Sequence, residues 1–163
     1  MVKKVAFLLL AMIIMMTSIT MLTGVSLASE TKEPTEGTRS LHPDEGTSSD
    51  ENPFMIESTQ YIKVWESLIS RTGNNIRVSG FSETYSTVDT IGVKLFIQYW
   101  NGQKWIDLES VGDFKKNNTN YVNGIGHFTV SSGFYYRTRG VHYVRHNGLT
   151  EQVNSYTSYI YVP

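Results

Sequence analysis

The chain has 163 residues and contains no cysteine. This absence excludes disulfide bonds and thiolate metal ligands, and it excludes a lipid attached to an N-terminal cysteine after processing. A domain of roughly 100 residues can still fold without such crosslinks, because it buries enough apolar surface. We therefore expect the apolar core to stabilise the fold without covalent help.

Proline is scarce and unevenly placed. Three prolines fall within residues 29–53, and the only other one is Pro163. Residues 29–53 are mainly Glu, Thr, Ser, Asp and Gly. Such a composition buries too little apolar surface to offset the entropy lost on ordering. We predict an acidic, disordered tether over 29–60. The lack of proline afterwards is typical of a backbone whose N–H groups are committed to β-sheets.

Only one long apolar run is present, and it lies at the N-terminus. Lys3 and Lys4 precede an apolar stretch over 5–22, and small residues close the segment at Ala28. This pattern predicts a secretory signal peptide over 1–28 and therefore a secreted, extracellular protein, free or associated with the cell wall. An uncleaved membrane anchor is the alternative, since about 18 apolar residues can span a bilayer.

Neither sign of charge is in strong excess, because the net formal charge is −1. The charges are unevenly divided: residues 29–60 are acidic, whereas residues 61–163 carry ten Lys and Arg against seven Asp and Glu. So small a positive surplus does not argue for nucleic acid. We expect no nucleic-acid partner, and anionic cell-wall polymers and lipid head groups stay open as ligands.

Helical spacing of apolar residues is absent after the first segment, and short alternating stretches predict strands instead. Seven such strands within 61–163 favour an all-β fold, an immunoglobulin-like or fibronectin-III-like antiparallel β-sandwich, with a small β-barrel as the alternative. Residues 82–90 and 112–124 are predicted as connecting loops. The predicted strands are 62–70, 76–81, 91–100, 104–111, 125–130, 134–145 and 155–162.

Two hairpin turns are predicted from the sequence. Within residues 91–100, every second residue from Val93 onward forms one set, and the residues between them, Phe96 included, form the other. This alternation is typical of a half-buried strand. Asn101-Gly102 then predicts a type I′ turn, because both positions tolerate positive φ. His146-Asn147-Gly148 predicts a second hairpin turn near the C-terminus.

A further set of residues carries a resemblance. These residues are Gly133-Phe134-Tyr135-Tyr136-Arg137, His142, Glu151, Ser155-Tyr156-Thr157, Ile160-Tyr161-Val162, Ile76-Arg77-Val78-Ser79-Gly80 and the strand that begins near Trp105. With them, most of 61–163 resembles a family of small secreted proteins of Gram-positive bacteria that is catalogued as a domain of unknown function. The resemblance implies secretion and a β-sandwich, and it implies no activity.

Few residues suggest chemistry. The nucleophile motif Gly-x-Ser-x-Gly does not occur. Asp89, Asp107, Glu109 and Asp113 are candidates for a glycosidase carboxylate pair. The alternative is that Asp107 and Glu109 solvate the exposed face of a hairpin strand. His142 lies on the inward side of the predicted 134–145 strand, which predicts a buried histidine bonded to a backbone carbonyl rather than a metal ligand. We expect no cofactor and no metal, and catalysis is the less favoured reading.

The outer side of the two central strands is the most informative feature. Strands 91–100 and 134–145 are expected to be neighbours in one sheet, with aromatic and arginine side chains turned outward. Such a face either packs Arg against rings across strands or forms a recognition surface. The candidate ligand-binding residues are Phe96, Trp100, Tyr135, Arg137, Arg139 and Tyr143.

These features predict a secreted, non-catalytic β-sandwich that binds a cell-surface ligand through this face. The ligand class is a cell-wall polysaccharide, whose sugar rings stack on aromatic platforms, or an extracellular protein. Two alternatives stay open: a secreted hydrolase with dispersed carboxylates, and a secreted factor whose aromatic face inserts into membranes. Otherwise a membrane is expected as a partner only through an uncleaved signal segment.

Overall fold

The computed structural model describes residues 31–51 and 59–163, so the predicted signal peptide lies outside the described residues. One antiparallel sheet of seven strands curls into a half-barrel. The all-β class is confirmed, in a form that fits a sandwich or a small barrel. The elements are β1 (Glu45–Thr47), α1 (Ser48–Glu51), β2 (Ile62–Thr72), β3 (Asn75–Trp100), β4 (Trp105–Thr129), β5 (Phe134–His146), β6 (Leu149–Tyr156) and β7 (Ile160–Val162).

The long β3–β4 hairpin organises the sheet. β4 pairs with β3 along almost its whole length, from Asn75 opposite Thr129 to Trp100 opposite Trp105. On the other edge of β3, β2 pairs with the first half and β5 with the second half. The β3–β4 register shifts between Glu83 and Val88, where the two halves meet. Bulges of this kind bend strands, and the bend lets the two halves of the sheet face each other.

The two predicted loops, 82–90 and 112–124, are wrong. Both belong to the long strands, where Val88 pairs with Thr119 and Gly92 with Lys115. Residues 115–118 are solvent-exposed, so this part of β4 shows no apolar alternation. This part of β4 is held by backbone hydrogen bonds to β3, which cannot be predicted from the pattern of side chains.

The core lies between the two halves of the sheet. Val93, Leu95 and Ile97 are fully buried, so the inward set predicted for the central strand is confirmed. Burying an aliphatic side chain of this size contributes about 1.5–3 kcal/mol to folding. The remaining members of the main core are Ile62, Ile69, Ile76, Val78, Val88, Ile91, Val122, Val130, Tyr136, Val144, Val153, Ile160 and Val162.

The two hairpin turns differ in type. At the β3–β4 turn only Gly102 has a positive φ, so the predicted type I′ turn is wrong. A four-residue loop forms instead, because the Asn101 side chain accepts hydrogen bonds from the backbone N–H groups of Gln103 and Lys104. Between β5 and β6, Asn147 and Gly148 both have positive φ, which confirms the second predicted turn.

Residues 31–51, which are most of the described part of the predicted tether, contact the sheet, and this differs from the predicted disorder. β1 pairs with β2, and on its other side Ser158 donates a backbone hydrogen bond to the carbonyl of Thr47. A Cβ on Gly46 would lie 2.5 Å from the carbonyl oxygen of Ser158, so this approach requires glycine. Backbone hydrogen bonds to existing strands order a polar segment that has little apolar surface of its own. The boundary at 60 stays a prediction.

Within the described ranges, no helix is both long enough and apolar enough to cross a membrane.

Candidate functional site

The outer face of β3 and β5 carries most of the candidate binding residues. The register pairs Phe96 with Arg139 and Gln98 with Arg137, so the two strands are neighbours as predicted. Side chains alternate along a strand, so these four point away from the core that contains Ile97. We use the name ladder face for Phe96, Gln98, Trp105, Asp107, Arg137, Arg139 and Tyr156.

Stacked guanidinium groups and rings form the first layer of the ladder face. The guanidinium carbon of Arg139 lies 3.9 Å from the ring centroid of Phe96. That of Arg137 lies between two rings, 4.4 Å from Trp105 and 4.6 Å from Tyr156. Each such contact contributes about 0.5–1 kcal/mol at an exposed site. The guanidinium groups therefore cover the ring faces that a sugar would otherwise stack on.

Hydrogen bonds connect the same residues into a continuous row. Arg139 donates to both carboxylate oxygens of Asp107, at 3.2 and 2.6 Å. The Gln98 amide donates to Asp107 at 2.7 Å and accepts a hydrogen bond from Arg137 at 2.8 Å. Partial burial alone would raise the pKa of Asp107, but the hydrogen bonds from Arg139 and Gln98, with the charges of both arginines, hold that pKa below its ordinary value. The carboxylate therefore stays ionised at neutral pH, and every step of the row is a hydrogen bond to a charged group.

Three of the six candidate residues are not exposed, which corrects the prediction that they line the surface. Trp100 is 1%, Tyr135 7% and Tyr143 8% exposed. Trp100 and Tyr135 pack in a second aromatic cluster with Trp105 and Tyr159. Residues 33–40 run along this cluster, where the Trp105 indole N–H donates to the Glu36 carbonyl at 3.0 Å. The N-terminal segment thus adds to the cover over an aromatic surface that the sequence predicts as open.

Four members of the ladder face were missed as binding residues by the sequence reasoning: Gln98, Trp105, Asp107 and Tyr156. Trp105 lies directly opposite Trp100, and Asp107 opposite Gln98, across the hairpin. Counting back from the predicted two-residue turn gives partners that are two positions off, but it places both residues on the correct face, so alternation was the signal that could have found them. Tyr156 stands opposite Arg139 on β6, and its sequence position gives no such signal.

His142 is fully buried, as predicted, and it is hydrogen-bonded to the Phe81 backbone and to two serine hydroxyls. Ser82 lies 2.9 Å from its Nδ1. Burial lowers the pKa of His142 to about 3, so the imidazole is neutral at physiological pH. Such a ring is a satisfied part of the core and is out of reach of a ligand.

The carboxylates proposed as a hydrolase site are separated and individually engaged. Asp107 stands opposite Gln98 and Asp113 opposite Lys94. Four residues of extended strand place the two carboxylates about 13 Å apart, more than the roughly 10 Å that glycosidase pairs reach. Asp113 accepts a 2.7 Å hydrogen bond from the Tyr143 hydroxyl. In the described part of the chain, no three His, Asp or Glu side chains cluster in a way that could hold a metal ion.

Comparisons with known proteins add little beyond this geometry. No protein-family model and no curated protein matches the sequence. Among solved structures, Spo0M, a sporulation control protein from Bacillus subtilis, is similar with a TM-score of 0.39 and 10% identity, over 63% of this chain and 49% of that one. The chain thus spans about half the length of that protein. A bromine derivative of BhCBM56 is similar with a TM-score of 0.29 and 15% identity, over 74% of this chain and 97% of that one.

Proposed function

We propose that this chain is an exported, non-catalytic β-sandwich that binds a cell-surface ligand through the ladder face. One observation carries the proposal: Arg137, Gln98, Asp107 and Arg139 form an unbroken hydrogen-bonded row across the three paired strands β4, β3 and β5. Asp107 is exposed, the two arginines are half-buried and Gln98 is buried beneath them. Side chains held on strands by their neighbours keep one geometry, and a ligand then binds without paying to order them.

The chemistry of the row favours a hydroxyl-rich ligand, and therefore a cell-wall glycan over a protein. Guanidinium groups donate in a fixed fork, and the exposed carboxylate of Asp107 adds acceptors beside them. Sugar hydroxyls donate and accept at closely spaced positions, which suits such an alternation. Tyr156 is 37% exposed and provides an apolar edge next to Arg137. Recognition in this proposal depends on hydrogen bonds more than on ring stacking, because guanidinium groups cover the rings.

The rival functions have less support. A two-carboxylate hydrolase requires acids closer together than Asp107 and Asp113. A membrane-inserting face requires exposed apolar rings, whereas Trp100 and Tyr135 are buried. The resemblance to a Gram-positive secreted family agrees with an exported binder and stays a proposal.

Retention on purified cell walls tests the proposed function. The chain from Ser29 onward keeps every described residue, and we expect it to sediment with cell walls, whether or not these are treated with protease. Arg139→Ala should reduce retention about tenfold, because a charge-assisted hydrogen bond contributes about 1.5–3 kcal/mol. Arg77→Ala is the matched control, since Arg77 is exposed on the other half of the sheet.

Several outcomes would contradict the proposal. Equal retention of the Arg139→Ala variant and the wild type removes the ladder face from binding, provided that both melt at the same temperature. Loss of binding on protease treatment identifies a protein ligand instead of a glycan. Dye leakage from anionic vesicles at the same protein concentration would support the membrane rival.

A further inference from the structure

A groove lies on the same outer sheet face as the ladder face, at the opposite end of the β3–β5 pair. It has a volume of about 280 Å³, and strands β3, β4, β5 and β6 all contribute to its lining. The ladder face is centred on the pair Phe96 and Arg139, whereas the groove is centred on the pair Gly92 and Tyr143. The alternation of side chains places both on the outer side of the sheet.

The groove exists because Gly92 has no side chain. The ring of Tyr143 lies across this glycine, so closely that a Cβ there would be 2.1 Å from a ring carbon. The ring therefore lies flat against the backbone of the sheet and forms the floor of the groove, and the other lining side chains form its walls. Its hydroxyl donates to Asp113 at 2.7 Å, which fixes the orientation of the ring. Burial, followed by this hydrogen bond and the charge of Asp113, raises the pKa of Tyr143 to about 12, so the floor is neutral.

Cations predominate around this floor. Lys94, Lys115 and Arg145 line the groove, against one carboxylate, that of Asp113. The Lys94 ammonium and the Arg145 guanidinium lie 5.8 and 6.0 Å from the Tyr143 ring centroid. Asp113 is 4.0 Å from Lys94, too far for a strong hydrogen bond, and its other oxygen accepts from the tyrosine. The groove thus keeps a positive surplus in a concave site, where fields are focused.

Neutral polar groups complete the lining. Thr90, Asn117, Thr150 and Gln152 bring hydroxyl and amide groups that both donate and accept hydrogen bonds. The Thr90 hydroxyl donates to the Asn117 amide oxygen at 3.0 Å, which holds these two groups on adjacent strands in one arrangement. A ligand that fits must present hydroxyl groups as well as negative charge.

We propose that this groove binds the acidic unit of an anionic glycan, in which carboxylate or phosphate groups alternate with hydroxyl groups. The negative group lies between Lys94, Lys115 and Arg145, and the hydroxyls meet the neutral polar side chains. This inference rests on the proposed function and makes its ligand more specific: a polymer chain follows the outer face from the ladder face to the groove. The charge of the groove selects acidic glycans over neutral ones.

Four soluble polymers test the inference with the chain from Ser29 onward. Polygalacturonate supplies carboxylates with hydroxyls, and poly(glycerol phosphate) supplies phosphates with hydroxyls. Dextran is neutral, and polyglutamate is anionic without hydroxyls. We expect binding to at least one of the first two, with dextran and polyglutamate roughly tenfold weaker or more. The polymer that binds identifies the acidic group.

A pair of matched variants locates the binding. Lys94→Gln combined with Lys115→Gln should weaken binding roughly tenfold or more, since two charge-assisted contacts are lost. The control combines Arg77→Gln with Lys116→Gln, which removes the same charge. Lys116 follows Lys115 on β4 but stands opposite Ile91, whose side chain is in the core, so it is on the other face. The control should bind like the wild type.

Three results would overturn the inference: equal weakening in both double variants, equal binding of polyglutamate, or no binding of either acidic glycan. Retention on cell walls distinguishes a failure of the groove inference from a failure of the proposed function. If the groove variant stays on cell walls while Arg139→Ala is released, the ladder face binds and the groove does not. If the wild type itself is not retained, the proposed function fails as well.

Discussion

The Nε2 atom of His142 lies 2.8 Å from the Ser155 hydroxyl, inside the core between the two halves of the sheet. Ser155 in turn lies 2.7 Å from the hydroxyl of Ser67 on β2. A polar row therefore crosses from β5 and β6 to β2, and it is hydrogen-bonded at each step. Buried polar groups are costly without partners, so this row specifies how the two halves align.

The buried histidine predicts acid sensitivity. The folded pKa of His142 is about 3, whereas the ordinary value is 6.5. As pH falls below 6.5, the unfolded chain binds a proton that the folded chain does not, so stability decreases between about pH 6.5 and 3. The contribution of His142 is about 1.4 kcal/mol per pH unit. Urea unfolding at pH 7, 6, 5 and 4 measures the slope.

Two variants test whether His142 causes this pH dependence of stability. His142→Gln should show a shallower decrease of stability over the same pH range, and the exposed His127→Gln should keep the wild-type decrease. If His142→Gln does not fold, proton NMR of the wild type decides: the His142 ring signals should stay constant from pH 7 to 4.5. Titration of that ring near pH 6 would show that the prediction is wrong.

The stack of Arg139 on Phe96 predicts a measurable coupling. Their contact distance of 3.9 Å is typical of a cation–π pair, for which about 0.5–1 kcal/mol is expected. A double-mutant cycle with Phe96→Leu and Arg139→Gln, followed by urea unfolding, isolates this energy. Arg77 and Phe96 lie on different halves of the sheet, so the control cycle with Arg77→Gln should be additive. Additivity in both cycles would contradict a stabilising stack.

The attachment of the N-terminal segment predicts different costs for two tryptophans. The Trp105 indole N–H donates to the Glu36 carbonyl, whereas the buried Trp65 indole nitrogen has no partner among the described residues. Trp105→Phe removes this hydrogen bond, whereas Trp65→Phe removes none, so Trp105→Phe should cost about 1 kcal/mol more than Trp65→Phe. Thermal unfolding of both variants gives the difference. A larger loss for Trp65→Phe would show that Glu36 does not hold Trp105.

The close approach of Tyr143 to Gly92 predicts a strongly position-specific effect. Gly92→Ala should destabilise the fold by about 1–3 kcal/mol, because the methyl group forces the ring away. In a Tyr143→Ala background the same substitution should cost far less, since the obstructing ring is gone. Chemical denaturation of the three variants measures this. Equal costs in both backgrounds would mean that the ring does not form the groove floor.

The candidate site shows where sequence reasoning succeeds and where it stops. The alternation around Val93, Leu95 and Ile97 predicts the core face of β3, because burial of apolar surface selects one parity. The same parity assigned Phe96 and Arg139 to the outer face. It also assigned Trp100 and Tyr135 to the outer face, which is correct for their direction. These two residues are nevertheless buried, because the segment around Glu36, which is distant in sequence, lies over that part of the face. Alternation reports which side of its own sheet a residue is on, and it does not report what else lies there.

The sequence by itself determined the β class, the hairpin turn between β5 and β6 and the inward position of His142. These depend on local periodicity and on turn residues, which act over a few positions. Only the tertiary structure decided that 82–90 and 112–124 continue two long strands, that residues 31–51 lie against the sheet, and that Gly92 opens a groove. Those features come from backbone hydrogen bonds and close contacts between residues far apart in the chain, and side-chain composition carries no record of them.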